Sequence, residues 1–129
     1  MPFTRIALSK ERFETVHAKI SIILQQCLEE HFDVPTEDCF QMFDIFEPQQ
    51  IKFNSYYPNL TQGRSESGIL FHIFAGKTRS HAQKRALYRA LNQRLTHEIT
   101  ISAEDIMVII QFNNVEDWSF SSGLSAKDL

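Results

Sequence analysis

The chain has 129 residues, of which 43% are hydrophobic and 22% charged, and a formal net charge of -3. That length fits one domain, spanning 1–129, whose core needs no disulfide or metal to close it. The mildly acidic balance, without a long basic run, argues against a nucleic-acid partner, since phosphate binding needs clustered Lys and Arg. No apolar run reaches membrane-spanning length, so no membrane partner is expected, and no secretory leader pattern opens the chain. The expected location is cytoplasmic.

The first strand is expected over about 3–8, in "MPFTRIALSK". A helix follows over about 10–32, with Ser9 as N-cap and Glu11 in the first turn. Its apolar residues Phe13, Val16, Ile20, Ile23, Leu24, Cys27 and Leu28 recur at three- and four-residue steps. After an acidic turn the second strand is "CFQMFDIFE", ended by Pro48. The connection over 48–67 is rich in Asn, Tyr, Gln and Ser, with room for a short strand at "IKFNSYY". "ILFHIFA" is the third strand. Ser80 and Gln83 form a capping box for a second helix running to about 97. Ala86, Leu87, Ala90, Leu91 and Leu95 make its buried stripe. "DIMVIIQF" is the fourth strand, and "VEDWSFSSGLSAKDL" is the tail. Cys27 and Cys39 read as buried thiols in a reducing compartment.

A shift of 67 residues brings "VPTEDCFQMF" onto "ISAEDIMVII" and "FTRIALSK" onto "LFHIFAGK". Strand, helix, acidic turn and strand therefore occur twice, over about 2–48 and 68–113. The expected class is α+β: a doubled β-α-β unit, with two helices on one face of a four-stranded mixed sheet. The third and fourth strands are apolar at nearly every position, whereas a strand buried on one face should alternate. Two helices cover one face only. A further copy of the chain would cover the other and make a homo-oligomer; the alternative cover is the 48–67 connection with the tail.

The five histidines show no metal-ligand spacing, and no Gly-rich phosphate loop or GxSxG elbow is present, so neither a metal nor a cofactor is expected. His72, on a buried strand, reads as a core residue with its polar atoms satisfied. "AGKTRS" sets Lys77 and Arg79 beside the start of a helix, where backbone amides add positive potential. A small carboxylate fits there, and two solvated loop charges are the plain alternative. Asp38 lies in the acidic turn as a candidate catalytic carboxylate or simply a turn residue, since Asp105 occupies the same place in the second repeat. Pro2 joins these points. If Met1 is removed, its nitrogen becomes a secondary amine. Antiparallel pairing of the first and third strands would set that amine near Lys77 and Arg79, as a general base or, opposite a carboxylate, as a cationic acid.

Pro2, "VPTEDCFQ", "KTRSHAQK" and "EDWSF" together resemble the tautomerase superfamily, which uses an amino-terminal proline, and more closely its malonate semialdehyde decarboxylase branch. The resemblance implies the tautomerase/MIF-like fold and a homotrimer with sheets facing a central barrel. It also implies roles: Pro2 as the catalytic amine, Asp38 as the carboxylate that tunes it, Arg79 as a substrate-carboxylate ligand, and Trp118 and Phe120 as an apolar wall. The branch pattern has arginine where this chain has Lys77, which keeps the charge but loses the bidentate fork. The tail beyond "DWSF" is also shorter here. The implied substrate is a small oxo acid, either decarboxylated as a 3-oxo acid or interconverted between keto and enol forms. The alternative is a non-catalytic homo-oligomeric binding protein with a vestigial site.

Overall fold

The computed structural model describes residues 1–129. Four strands and two long helices alternate as expected: β1 (Pro2–Ser9), α1 (Lys10–Phe32), β2 (Gln41–Phe46), β3 (Ile69–Ala75), α2 (His81–Glu98) and β4 (Ile106–Phe112). The sheet order is β2-β1-β3-β4. Each helix-linked pair, β1 with β2 and β3 with β4, is parallel, while β1 and β3 are antiparallel at the centre. The two repeats thus meet head to tail, and Pro2 lies opposite Ala75.

Local chemistry sets the element ends. Ser9 caps α1 by accepting from the Arg12 amide, and α1 ends at Asp33 in the left-handed region (φ 53). The reciprocal Ser80–Gln83 capping box starts α2. One sheet face packs against both helices. Ile6, Leu8, Ile69, Phe71 and Ile73 meet Ile20, Leu24, Leu28, Leu87, Leu91 and Leu95 in a single core. A fully buried side chain of this size contributes about 1.5–3 kcal/mol, so Phe71→Ala would cost about 3–5 kcal/mol.

The second face carries the alternate residues. Phe3, Leu70, Phe74 and Met107 are half-buried, and Met42 and Ile109 are exposed. Polar pairs interrupt this face: Arg5 grips Asp44 bidentately at 2.8 and 2.9 Å, and His72 bonds Gln111. His72 is therefore satisfied, but it stands on the half-open second face and not in the core. The connection covers only one end of this face. There Ile51 and Phe53 meet Ala7, Leu70 and Met107 around a cavity of about 400 Å³.

No strand forms at "IKFNSYY". A strand needs a partner edge, and side chains satisfy this backbone instead. Asn54 Oδ1 accepts from the amides of Tyr56 and Tyr57, and Arg64 donates to the carbonyls of Asn54 and Tyr57. Cys27 is buried as expected, but Cys39 is exposed. The second strand starts at Gln41, so Cys39 still belongs to the preceding turn, where its amide donates to Glu37.

Candidate active site

The chain start threads into the sheet beside the acidic turn. Parallel pairing sets Thr4 opposite Gln41, and the Thr4 amide donates to the Phe40 carbonyl at 3.0 Å. Continuing that ladder backwards brings the terminus to Asp38. The Met1 ammonium pairs with Asp38 Oδ2 at 3.0 Å, and Gly76 N–H donates to the Met1 carbonyl at 3.2 Å. Pro2 is buried as the first residue of β1, where its missing N–H breaks no ladder. Asp38 Oδ1 is buried and has no hydrogen-bond partner. An uncompensated buried carboxylate oxygen is costly, and such atoms mark places where something other than stability has been selected.

Arg79 is held by the fold. It donates to the carbonyls of Lys77 and Phe32, and its guanidinium lies 5.0 Å from the centroid of the Phe32 ring. Burial pushes its pKa down, while the charges of Asp33 and Asp38 push it back up. It stays cationic. Lys77 gives its carbonyl to Arg79 and leaves its side chain exposed. The structure therefore gathers Asp38, Arg79, Gly76 and the chain terminus, with Lys77 at the solvent edge.

The tail packs beside this cluster. Trp118 Nε1 donates to Asn113 Oδ1 at 2.7 Å, and the Trp118 carbonyl accepts from the Ala126 amide at 2.9 Å. The indole lies so close to Gly76 that a Cβ there would stand 2.8 Å from Nε1. Gly76 is thus required for close approach. Phe120 stacks on Trp118 with centroids 5.6 Å apart, and Phe40 follows at 5.4 Å from Phe120. Phe40 was missed as a site residue. Its only signal is its place two residues after Asp38, in a stretch read as strand.

The internal repeat supplies a control. The shift of 67 residues that relates Asp38 to Asp105 also relates Lys77 to Lys10 and Arg79 to Arg12. Arg12 lies, like Arg79, within the field of its aspartate: burial lowers its pKa and Asp105 raises it. The second aspartate, however, is saturated. Ser65 donates its amide to Oδ1 at 2.7 Å and its hydroxyl to Oδ2 at 2.6 Å. Arg12 is capped by the carbonyls of Ser67 and Thr100. The neighbouring Glu104 accepts from the amides of Thr61, Gln62 and Gly63, which hold its pKa down. In the second half this constellation pins the connection. In the first half the same residues stand around a chain terminus, with one oxygen unsatisfied.

A family model described as "Tautomerase enzyme" matches residues 38–121, from the acidic turn to the tail. The chain belongs to the tautomerase family. A relative from Bacillus subtilis (strain 168), "Probable tautomerase YusQ", is 32% identical over 123 residues, covering 95% of each chain. The crystal structure of FG41 malonate semialdehyde decarboxylase inhibited by 3-bromopropiolate superimposes with a TM-score of 0.85 at 26% identity, covering 97% of this chain and 92% of that one. A fused 4-OT described as a symmetric trimer superimposes with a TM-score of 0.75 at 15% identity, covering 97% and 96%. At that identity it shows the shared fold. The four-stranded mixed sheet with two helices on one face is thus the tautomerase/MIF-like arrangement. No helix is long and apolar enough to cross a membrane.

Proposed function

We propose that this tautomerase-family protein is a small oxo-acid enzyme whose catalytic amine is Pro2 once Met1 is removed, and that its primary reaction is decarboxylation of a 3-oxo acid such as malonate semialdehyde. The observation that carries this reading is the 3.0 Å contact between the terminal ammonium and Asp38, beside a second carboxylate oxygen that has no partner. Met1 fills the space in front of Pro2: its Cε comes within 3.0 Å of where a Gly76 Cβ would stand, beside Trp118. Removing Met1 vacates that space and transfers the amine to Pro2. Asp38 then faces a secondary amine and favours its cationic form.

The chemistry follows. Arg79 and Lys77 attract the substrate carboxylate, and the Trp118–Phe120 wall keeps water from it. The Pro2 ammonium donates a hydrogen bond to the β-carbonyl. The bond between the carboxyl carbon and Cα breaks, and its electron pair passes into an enolate as CO2 leaves. The ammonium and Arg79 stabilise the enolate, and a proton delivered to carbon gives the aldehyde. A second reading, keto–enol tautomerisation by neutral Pro2, draws on the similarity to the probable tautomerase YusQ. The homotrimer belongs to the same proposal, supported by the apolar residues Met42 and Ile109 exposed on the second face and by the symmetric trimer of the similarly folded fused 4-OT.

The test is intact mass, then turnover of malonate semialdehyde and phenylenolpyruvate against pH for wild type and Pro2→Ala. The expected protein lacks Met1, releases CO2 with a rate limb that needs protonated amine, and loses about 10²-fold or more on Pro2→Ala. Active protein that retains Met1 overturns the proposal. A limb needing the deprotonated amine, with phenylenolpyruvate turned over faster, moves the assignment to the tautomerase reading.

A further inference from the structure

Charge is unevenly spread along this chain. Residues 77–97 hold six of its thirteen Lys and Arg and none of its sixteen Asp and Glu. Arg94 pairs with Glu30, and Arg79 is held by carbonyls. Lys77, Lys84, Arg85 and Arg89 form no ion pair. Arg85 and Arg89 are exposed, one turn apart on α2. Lys84 lies over the Phe112 ring, 5.4 Å from its centroid, and Phe112 stands in register with Ala75, which pairs with Pro2. The stripe therefore starts at the site and leads away along the helix. This arrangement works against helix stability. The macrodipole favours acids in a first turn, and α2 has none there. Cations four residues apart, as Arg85 and Arg89 are, repel. The matching helix of the first repeat follows the ordinary rules: Glu11 stands in the first turn of α1, and Lys10 pairs with Glu14. The 67-residue shift relates Lys84, Arg85 and Arg89 to His17, Ala18 and Ile22. Cations at these positions thus belong to the helix that opens at the site.

We infer that α2 is an anion-steering surface: Lys84, Arg85 and Arg89 concentrate small carboxylates at the mouth of the site, where Lys77 and Arg79 take them over. The inference rests on the proposed site and deepens it, because a 3-oxo acid is an anion approaching a chain of net charge -3. An even spread of that charge would repel it, and a local positive field reverses the sign along one path. At 1.5 Å per residue, Arg85 lies about 7.5 Å along the axis from Ser80 and Arg89 about 13.5 Å. The screening length is about 8 Å in physiological salt and about 30 Å at 0.01 M. Arg85 therefore acts in physiological salt and Arg89 chiefly at low salt. Three free cations fall short of the roughly six to ten phosphate contacts with which a protein grips a polyanion, so the guest is a small acid.

The experiment reads the potential at the site without catalysis. Trp118 is the only tryptophan in the chain, half-buried against Gly76. Its fluorescence is quenched with iodide, an anion that replaces chloride, and with neutral acrylamide, at an ionic strength of about 0.1 M and again at about 1 M. Arg85→Glu and Arg85→Glu/Arg89→Glu are compared with wild type and with Lys52→Glu. Lys52→Glu changes net charge as much as Arg85→Glu, but beside Ala7 and Leu70, at the opposite end of the sheet from Pro2. Arg85→Glu is expected to lower the iodide constant about twofold at the lower salt, and the double variant to lower it further. Both effects should fade at the higher salt, acrylamide should quench all variants alike, and Lys52→Glu should match wild type. Turnover should follow, with kcat/KM for malonate semialdehyde falling at low salt and kcat unchanged. Glutamate is a good helix former, and Arg85→Gln/Arg89→Gln keeps the test available if a charge reversal unfolds the helix. An iodide constant unchanged in the α2 variants, or lowered as much by Lys52→Glu, overturns the inference. So does a lowered iodide constant with kcat/KM unmoved. Failure of the enzymatic reading would instead appear as absent turnover with the iodide effect intact.

Discussion

The two repeat-related aspartates should respond in opposite ways to the same substitution. Asp105→Ala removes two charge-assisted bonds from Ser65, at 2.7 and 2.6 Å, in a site only 7% exposed. Each such bond is worth about 1.5–3 kcal/mol net. They share one donor residue and do not add fully, so the expected loss is about 3 kcal/mol. Asp38→Ala removes one partly exposed pair with the terminus, worth about 0–1 kcal/mol. It also removes an oxygen buried without a partner, whose desolvation costs about 1–3 kcal/mol. The net change should lie between about zero and a gain of about 3 kcal/mol. At roughly 4 °C per kcal/mol for a domain of this size, Asp105→Ala should melt about 12 °C below wild type and Asp38→Ala at or above it. The assay is thermal melting at one fixed subunit concentration, since assembly makes the midpoint concentration-dependent. Turnover measured below both midpoints should show the reverse order, with Asp38→Ala the crippled enzyme. Equal destabilisation by the two substitutions would refute the assignment of a pinning role to one aspartate and a chemical role to the other.

Three further outcomes follow from the same geometry. Cys39 is exposed, while Cys27 is buried with its pKa raised, first by desolvation. A thiol reagent should therefore titrate one equivalent in native protein and two after unfolding; two fast equivalents would place Cys27 at the surface. Glu104 has a folded-state pKa below its ordinary value of 4.5, chiefly through the Gly63 amide. Its contribution is fully present above 4.5 and is lost as pH falls through the folded value, so Glu104→Gln should lower the melting temperature in the neutral range and converge on wild type in acid, which flattens the acid limb. Gly76→Ala would put a methyl 2.8 Å from Trp118 Nε1. The indole must shift, seen as altered tryptophan emission together with weaker substrate binding, and unchanged emission would count against the close approach.

The fold was legible because every local signal agreed. Ser9 and Ser80 announce the helices, periodic apolar residues give their stripes, and the strand–helix–turn–strand order, occurring twice, fixes the topology. The "IKFNSYY" segment misled because its alternation resembles a strand, while its backbone bonds close locally through Asn54 and Arg64. Cys39 and Phe40 were misread for a related reason. The strand begins two residues later than the apolar run implies, so both side chains belong to the site's edge. Pro2, Asp38, Arg79 and Trp118 were visible as residues, but the difference between Asp38 and Asp105 was not. It depends on what the rest of the chain places around each carboxylate: a hydroxyl and an amide of Ser65 in one case, a chain terminus in the other.

The second sheet face supplies the last prediction. Ile109, on the edge strand β4, stands in register with His72 and is 44% exposed; Met42, on the opposite edge strand β2 and facing Arg5, is 50% exposed. The connection reaches only the end marked by Ala7, Leu70 and Met107. Apolar residues left open on both edge strands of this face cost the chain hydrophobic stabilisation that a neighbouring copy would restore. Ile109→Glu places a carboxylate in that proposed interface, with Gln111 and His72 already engaged with each other. An unpaired charge buried between subunits costs several kcal/mol, enough to dissociate an assembly at micromolar concentration. Light scattering should give wild type near three times the 15.0 kDa chain mass, and Ile109→Glu a smaller species with its helical signal retained. Wild type running as a single chain would mean that the polar pairs Arg5–Asp44 and His72–Gln111 suffice to solvate this face, and that the active site is complete within one subunit.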